Sequence, residues 1–524
     1  MASIALSLSG GGFRAATYHL GLLSYLNRLQ AADGRSLLAH VNTLSTISGG
    51  SLTGLWMILC QSQGKDDSLM LRQLHDLLLH GDLIGRASRE FLCGESTNHS
   101  LIREMVKIYD EEIFHGATLG DLMDKIDTIS LEDFSANATE FNNAIEFRFQ
   151  VSRKRTTAGG GTSRGVIGNS KYQLSEAVAR QILLAEVFAA SSCFPGGFEP
   201  LFFPRDFRLN DNPANAEYLS GKEPVALMDG GVVDNQGIEP VNLIRKRKDI
   251  DLFIISDAGR GRDINYRYDD KDICSRLSVH KVNVILNLLV LFFAQFLLWV
   301  PRGFWFGFWL SLTLLFLGLR LSTALISRSI IKRYARLVPF SFQWEGLLHI
   351  PFSKYVNLFL SRATSMYALT QNVFMKHIRA LNYATIYENL QWQNRSIMNG
   401  LYELGTGENF GKHLTAEEEV LMAPSAAINA TTDLAASMNT TLWWSDDDRR
   451  QRKPEALIAC GQYTICWNLL EYIYRLRHND ENTNEHHDLI RALQPQLEAD
   501  WQRFKDNPYW MLEEDSSLSP SDAE

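Results

Sequence analysis

The chain has 524 residues, enough for two or three domains, and its 45% hydrophobic and 21% charged content is that of a globular protein. A formal net charge of −9 gives no reason for nucleic acid to be the main partner, so any basic function must be local. The six cysteines (Cys60, Cys93, Cys193, Cys274, Cys460, Cys466) form no CxxC pair, which argues against a zinc site or a disulfide framework and for a reducing compartment.

The N-terminus has no basic residue ahead of its apolar run and passes straight into glycines, so it reads as a first strand rather than a secretory signal. Ser3 to Leu8 forms that strand. Ser9-Gly10-Gly11-Gly12-Phe13-Arg14 follows, and then a helical period through Ala15, Tyr18, Leu22, Leu26 and Leu29. A strand, a glycine loop and a helix in this order leave backbone N–H groups unpaired at the helix start. Such a place binds a phosphate or the oxyanion of an acyl-transfer intermediate, or is simply a tight turn.

Val41 to Ile47 reads as a buried strand and Gly49 onward as a helix, with Ser48 on the sharp turn between them. A serine at a strand-to-helix elbow has its hydroxyl pushed out of the sheet, near the positive end of a helix dipole, which is how a weak alcohol becomes a nucleophile. The turn wants small residues two before and two after the serine, here Thr46 and Gly50. An ordinary Gly/Ser turn into a core helix is the alternative.

Residues 52 to 130 are helical in pattern, with amphipathic stretches at Leu69 to Leu79 and Ile102 to Tyr109, and His75, His80, His99 and His115 lack ligand-like spacing. Ile145 to Val151 alternates as a strand and leads into Arg153-Lys154-Arg155 and a Gly/Ser/Thr-rich stretch to Asn169. That stretch reads as a solvated loop, or as a contact for lipid phosphates. Ser175 to Ser191 reads as one helix ending at Ser192-Cys193-Phe194-Pro195. Val225 to Met228 is a brief strand running into Asp229-Gly230-Gly231. Two glycines let a carboxylate approach a hydroxyl closely enough to act as general base without a histidine, though an Asx turn closing the strand has the same pattern. Leu252 to Asp257 is the next strand. Strands alternating with helices as far as residue 257 predict an α/β fold with a largely parallel sheet covered on both faces.

From Val282 to Val300 there are 19 uncharged residues and from Gly303 to Leu319 another 17, separated by Pro301-Arg302. Helices of these lengths come close to the roughly 30 Å of a bilayer core. Trp299, Trp305 and Trp309 cluster at the turn, and Lys281, Arg320, Arg328, Lys332, Arg333 and Arg336 flank the outer ends. By the positive-inside rule both outer ends face the cytoplasm. Asn283, Asn287 and Gln295 are expected to face the other helix or a partner chain. Spanning the membrane, shallow insertion, and a buried hairpin at a protein interface or beside an acyl channel all fit this pattern. The boundaries drawn are a catalytic region 1–275, a hairpin 276–336, a helical C-terminal region 337–510 and a disordered acidic tail 511–524.

Taken together, the motifs resemble those of the patatin-like phospholipases, which use a Ser-Asp dyad. The resemblance rests on Ser9-Gly10-Gly11-Gly12-Phe13-Arg14-Ala15, on Thr46-Ile47-Ser48-Gly49-Gly50-Ser51 and on Asp229-Gly230-Gly231. Softer matches are Ala138-Thr139-Glu140 and the run from Ala190 to Phe198. The chain departs from the family pattern at Ser9, Ala15 and Thr46, and the uncharged hairpin is not part of the family's minimal domain. The resemblance implies a three-layer α/β/α domain in which Ser48 attacks a lipid ester and Asp229 takes its proton. Backbone N–H groups of Gly10, Gly11, Gly12 and Gly49 would hold the oxyanion, and Arg14 would steady the loop or bind a substrate phosphate. No metal or cofactor is implied.

The partners expected on this reading are a phospholipid or lysophospholipid substrate and a membrane, with nucleic acid excluded and a homo-oligomer left open. A membrane-anchored scaffold on a degenerate hydrolase fold is the competing class. Regulated activity, as in patatin-like effectors of bacterial immunity that damage the host's own membrane, is a third reading for which the sequence identifies no trigger.

Overall fold

The computed structural model describes residues 3–92, 100–156, 162–259, 277–337, 348–407, 414–478 and 488–514. Its packing separates two compact units, one made of residues 1–263 and 374–524 and the other of residues 264–373. Residues 157–161 of the expected loop, most of the expected polar stretch after Arg477 and the expected tail from residue 515 lie outside the described residues. The expected tail begins as a short helix, Trp510–Glu514.

The larger unit is built on one nine-stranded sheet. Its strands are β1 (Ile4–Leu8), β2 (Val41–Ile47), β3 (Asp133–Glu140), β4 (Ile145–Thr156), β5 (Thr162–Gly168), β6 (Leu201–Phe203), β7 (Val225–Asp229), β8 (Leu252–Asp257) and β9 (Ser396–Gly400). The order is β5-β4-β3-β2-β1-β8-β9, with β7 also on β3 and β6 on β7. The central run β3-β2-β1-β8-β9 is parallel, as expected from the alternation of strands and helices.

The other side of the sheet is antiparallel. β3 returns as β4 through Phe141-Asn142-Asn143-Ala144, a short polar turn that closes a hairpin. The basic run Arg153-Lys154-Arg155, expected to open a loop, continues β4 instead, and Arg155 pairs with Ser163 of β5.

Along β1 and β8 the side chains alternate. Ile4, Leu6, Leu252 and Ile254 enter the larger core, and Ala5, Phe253 and Ile255 enter the smaller one. This is the period-two pattern of a sheet buried on both faces. The helices that matter for the site are α1 (Gly12–Arg28), α2 (Gly49–Ser62), α3 (Leu184–Ser192), α4 (Gly231–Asp234), α5 (Ile238–Arg245), α6 (Met375–Tyr387) and α7 (Lys453–His478). The helix expected over 175–191 is in fact two, Glu176–Ala179 and α3, parted where Leu183 bridges to Thr118.

Helix α1 is buried on all sides because the C-terminal helix α7 lies across it. The crossing is close. A Cβ on Gly21 would stand 2.0 Å from the Ile458 carbonyl oxygen, and one on Gly461 would stand 2.1 Å from that of Tyr18. On the opposite face Ile238, Val241 and Ile244 of α5 join Ile386 and Trp392 in the smaller core. The C-terminal residues expected to form a helical region therefore supply the edge strand β9 and part of both covering layers.

The smaller unit holds helices Val279–Trp299, Phe304–Leu337 and Phe352–Ala368. Val279–Trp299 and Phe304–Ser329 have mean hydropathies of 2.1 and 1.7 and are long and apolar enough, by length and composition, to cross a membrane. Their apolar side chains stay exposed, Leu298 at 84% and Phe304 at 82%. Phe296 stacks on Trp309 with ring centres 4.5 Å apart, and Phe293 on Phe316 at 5.2 Å. Asn283 and Asn287 do face the other helix, accepting from Thr323 Oγ1 at 2.7 Å and from Arg320 Nε at 3.1 Å. Gln295 is exposed.

Candidate active site

The register of β3 brings the two principal candidates together. Strand β2 pairs with the first part of β3 and ends with Ile47 opposite Asn137. β7 takes over the same strand at the next position, with Asp229 opposite Ala138. Neighbouring residues on a strand are about 3.3 Å apart along it, so the turn after Ile47 and the end of β7 must meet. They do. The Ser48 side chain lies close enough to the Asp229 carboxylate to lower its pKa, and both residues are 6% exposed.

Ser48 sits at φ 50°, ψ −119°, in a region that non-glycine residues avoid at a cost of about 1–3 kcal/mol. That backbone is the elbow between β2 and α2. Its flanks are tight, since a Cβ on Gly49 would stand 2.1 Å from the Gly12 carbonyl oxygen and one on Gly50 would stand 2.3 Å from that of Leu8. Thr46, larger than the position ordinarily takes, is accommodated by Gly54, where a Cβ would stand 2.4 Å from the Thr46 methyl carbon. The Thr46 hydroxyl donates to the Ser135 carbonyl at 3.3 Å.

Asp229 is held by its neighbours. One carboxylate oxygen accepts the Gly231 N–H at 2.7 Å, the Asp229 N–H donates to Cys193 O at 2.9 Å, and Thr139 Oγ1 donates to Asp229 O at 2.9 Å. Burial raises its pKa from 3.8 to about 6, and the nearby Ser48 side chain and the Gly231 N–H hold it down against that push. A carboxylate so poised is ionised at neutral pH yet basic enough to accept a hydroxyl proton.

The glycine loop lies over the elbow. Gly10 comes within 3.2 Å of the Ser48 Cβ, measured from an added Cβ, and Gly11 and Gly12 have φ of 145° and 62°. The Gly10 N–H is already donated to Asn235 O at 3.1 Å, which corrects its assignment as an oxyanion donor. Among the described residues no bond takes up the N–H of Gly11, Gly12 or Gly49, so these three stay available. Arg14 is buried and its Nη1 donates to Met438 O at 3.0 Å.

Sequence reasoning did not reach several residues around the site. Phe13 N–H donates to Thr441 O at 2.8 Å, and a Cβ on Gly12 would stand 2.2 Å from that same oxygen, so residues 438–441 clamp the glycine loop. Ser9, at the position where the loop departs from the family pattern, accepts the Ala258 N–H on Oγ at 2.8 Å and so ties β1 to the end of β8. His19 places one ring nitrogen 3.0 Å from Ser9 O and the other 3.0 Å from Ser256 Oγ. Burial lowers its pKa to about 4, so it is a neutral structural group.

Asp257, fully buried, meets Arg379 Nε at 2.7 Å, Tyr383 Oη at 2.6 Å and Gln236 Nε2 at 3.1 Å. Asn382 of α6 donates to Asp234 Oδ1 at 3.1 Å and to Val233 O at 3.3 Å, docking α6 on the helix that follows Asp229. None of these pairings has a local sequence signature.

An α/β sheet with a serine on a strand-to-helix elbow, an aspartate against its hydroxyl and a glycine loop over both defines a class of nucleophile-elbow folds. Residues 6–242 match the family model for patatin-like phospholipase, so the chain carries a patatin-like phospholipase domain over that stretch. A solved structure, human GIVD cytosolic phospholipase A2, is similar at 14% identity and a TM-score of 0.32, with the alignment covering 49% of this chain and 43% of that one. Comparison with curated proteins gives no match.

Proposed function

We propose that this protein is a membrane-associated lipid acyl hydrolase that cleaves fatty-acyl esters of phospholipid or lysophospholipid. The reading is carried by the juxtaposition of Ser48, on its strained elbow, with the buried Asp229 carboxylate, brought together where β2 and β7 meet along β3, within a patatin-like phospholipase domain. In the proposed reaction Asp229 takes the hydroxyl proton as Ser48 Oγ attacks the ester carbonyl carbon. The N–H groups of Gly11, Gly12 and Gly49 receive the charge that develops on the carbonyl oxygen. Collapse of the intermediate expels the lyso-lipid alcohol, which leaves with the proton held by Asp229. Water, deprotonated by Asp229, then frees the acyl group from Ser48.

The two apolar helices would hold the catalytic unit at its insoluble substrate, and the basic residues at their outer ends would face the cytoplasm. Purified protein given vesicles of labelled phospholipid should release fatty acid, and Ser48→Ala should release at least about 10³-fold less, since the pair acts as a unit. No release by the wild type, or equal release by both, overturns the reading.

A further inference from the structure

Ser191, near the end of α3, joins the two halves of the site. Its hydroxyl is fully buried. It accepts the Ser48 N–H at 2.9 Å, donates to the Asn137 carbonyl at 2.7 Å and lies 2.8 Å from Ser51 Oγ. Its own carbonyl accepts the N–H of Gly230, the residue after Asp229, at 3.3 Å. The Ser48 amide needs such an acceptor, because the β2 ladder stops at Ile47 and a buried N–H without a partner is costly. The adjacent Ser192 is different. Its hydroxyl turns back to Phe188 O at 2.8 Å within its own helix.

We propose that Ser191 is a positioning residue that holds Ser48 in its strained conformation against Asp229, an inference that rests on the hydrolase reading above. A positive-φ serine relaxes unless its surroundings fix it. The Ser191 hydroxyl fixes the amide of Ser48 to β3, while the Ser191 carbonyl fixes the turn that carries the base. Losing the hydroxyl frees the elbow to move by a fraction of an ångström. Misplacement on that scale costs turnover and leaves substrate binding nearly unchanged.

The test uses the full-length protein, a soluble ester for kcat and KM, and a fluorophosphonate whose labelling rate reports nucleophilicity at Ser48. Ser191→Ala should lose about 10²-fold in kcat and in labelling rate, with KM within about twofold of wild type. Ser191→Thr, which keeps the hydroxyl, should recover at least tenfold of that loss, and Ser192→Ala should stay within about twofold of wild type. If S191A does not fold, the near-isosteric S191C decides, because its thiol is a weak acceptor. A kcat for that variant within about threefold of wild type overturns the inference.

So do S191A activity within that range, a loss in S191T as large as in S191A, or an equal loss in S192A. A wild type that labels no faster than Ser48→Ala overturns the hydrolase reading and this inference together. A labelled wild type with indifferent Ser191 variants overturns this inference alone.

Discussion

Replacing Asp229 by asparagine should abolish turnover and at the same time stabilise the protein at alkaline pH. The folded Asp229 has a pKa of about 6 against an ordinary 3.8, so the native state binds its proton more tightly than the unfolded chain does. The stability this group contributes is therefore fully present below pH 3.8 and is lost as the pH rises through about 6. With about 1.4 kcal/mol for each tenfold change in proton affinity, the burden of the buried charge at pH 8 is about 3 kcal/mol. Asparagine removes that charge. It keeps one oxygen for the Gly231 N–H or the Ser48 hydroxyl, but its amide N–H groups need acceptors, which offsets about 1 kcal/mol.

The expected net gain for D229N is thus about 2 kcal/mol at pH 8, shrinking to nothing near pH 4. Urea midpoints of wild type and D229N, compared in one detergent at pH 4, 6 and 8, measure it. Glu146, Glu186 and Glu403 are also raised by burial, to about 8, 7 and 8, but they are common to both proteins and cancel in the difference. The same pKa requires wild-type kcat/KM on a soluble ester to fall as the pH drops through about 6, where Asp229 becomes protonated. A D229N no more stable than wild type at pH 8, or a gain of equal size at pH 4, refutes the assignment of a buried, ionised base.

Arg379→Met should destabilise the fold by about 3 kcal/mol at neutral pH, because Asp257 keeps its neutral donors but loses the only cation placed against it in the network described above. Asp257→Asn in the same chain should restore part of the loss, and urea midpoints of the single and double variants check both. Deleting Val282 to Leu319 should move the protein from the membrane pellet to the supernatant while it still hydrolyses a soluble ester. Retention in the pellet after the deletion contradicts the anchor assignment.

The parts of the molecule legible in the sequence were those whose physics is local. Ser48 between an apolar strand and a glycine-led helix, Asp229 before two glycines and Ser9 to Arg14 before a helical period each declare a backbone shape within a few residues. The antiparallel side of the sheet has one local signal, the Asn142-Asn143 turn between two strands. β9 had none. Ser396–Gly400 is five residues of mixed polarity, and it is a strand because β8, about 140 residues earlier, presents an open parallel edge. The partners of Gly10, Phe13 and Arg14 are backbone carbonyls of Asn235, Thr441 and Met438, and a carbonyl carries no residue identity to read. For the same reason nothing in the sequence around Gly10 says that its N–H is already used by Asn235.

The matched stretch 6–242 contains every motif of the site but not everything that shapes it. The glycine loop can aim the N–H groups of Gly11 and Gly12 only while Gly12 holds φ 62° with its Cα pressed against the Thr441 carbonyl. Phe13 and Arg14 are bound to that same segment, residues 438–441. Behind the loop, Ser9 is fastened to β8, and the end of β8 is fastened through Asp257 to Arg379 and Tyr383 on α6. α6 also docks, through Asn382, on the helix that follows Asp229. Both the loop and the base are therefore held by residues that lie after the apolar helices in the chain. The Ser48–Asp229 pair is encoded in the first half of the chain, and its geometry depends on the last third having folded back onto it.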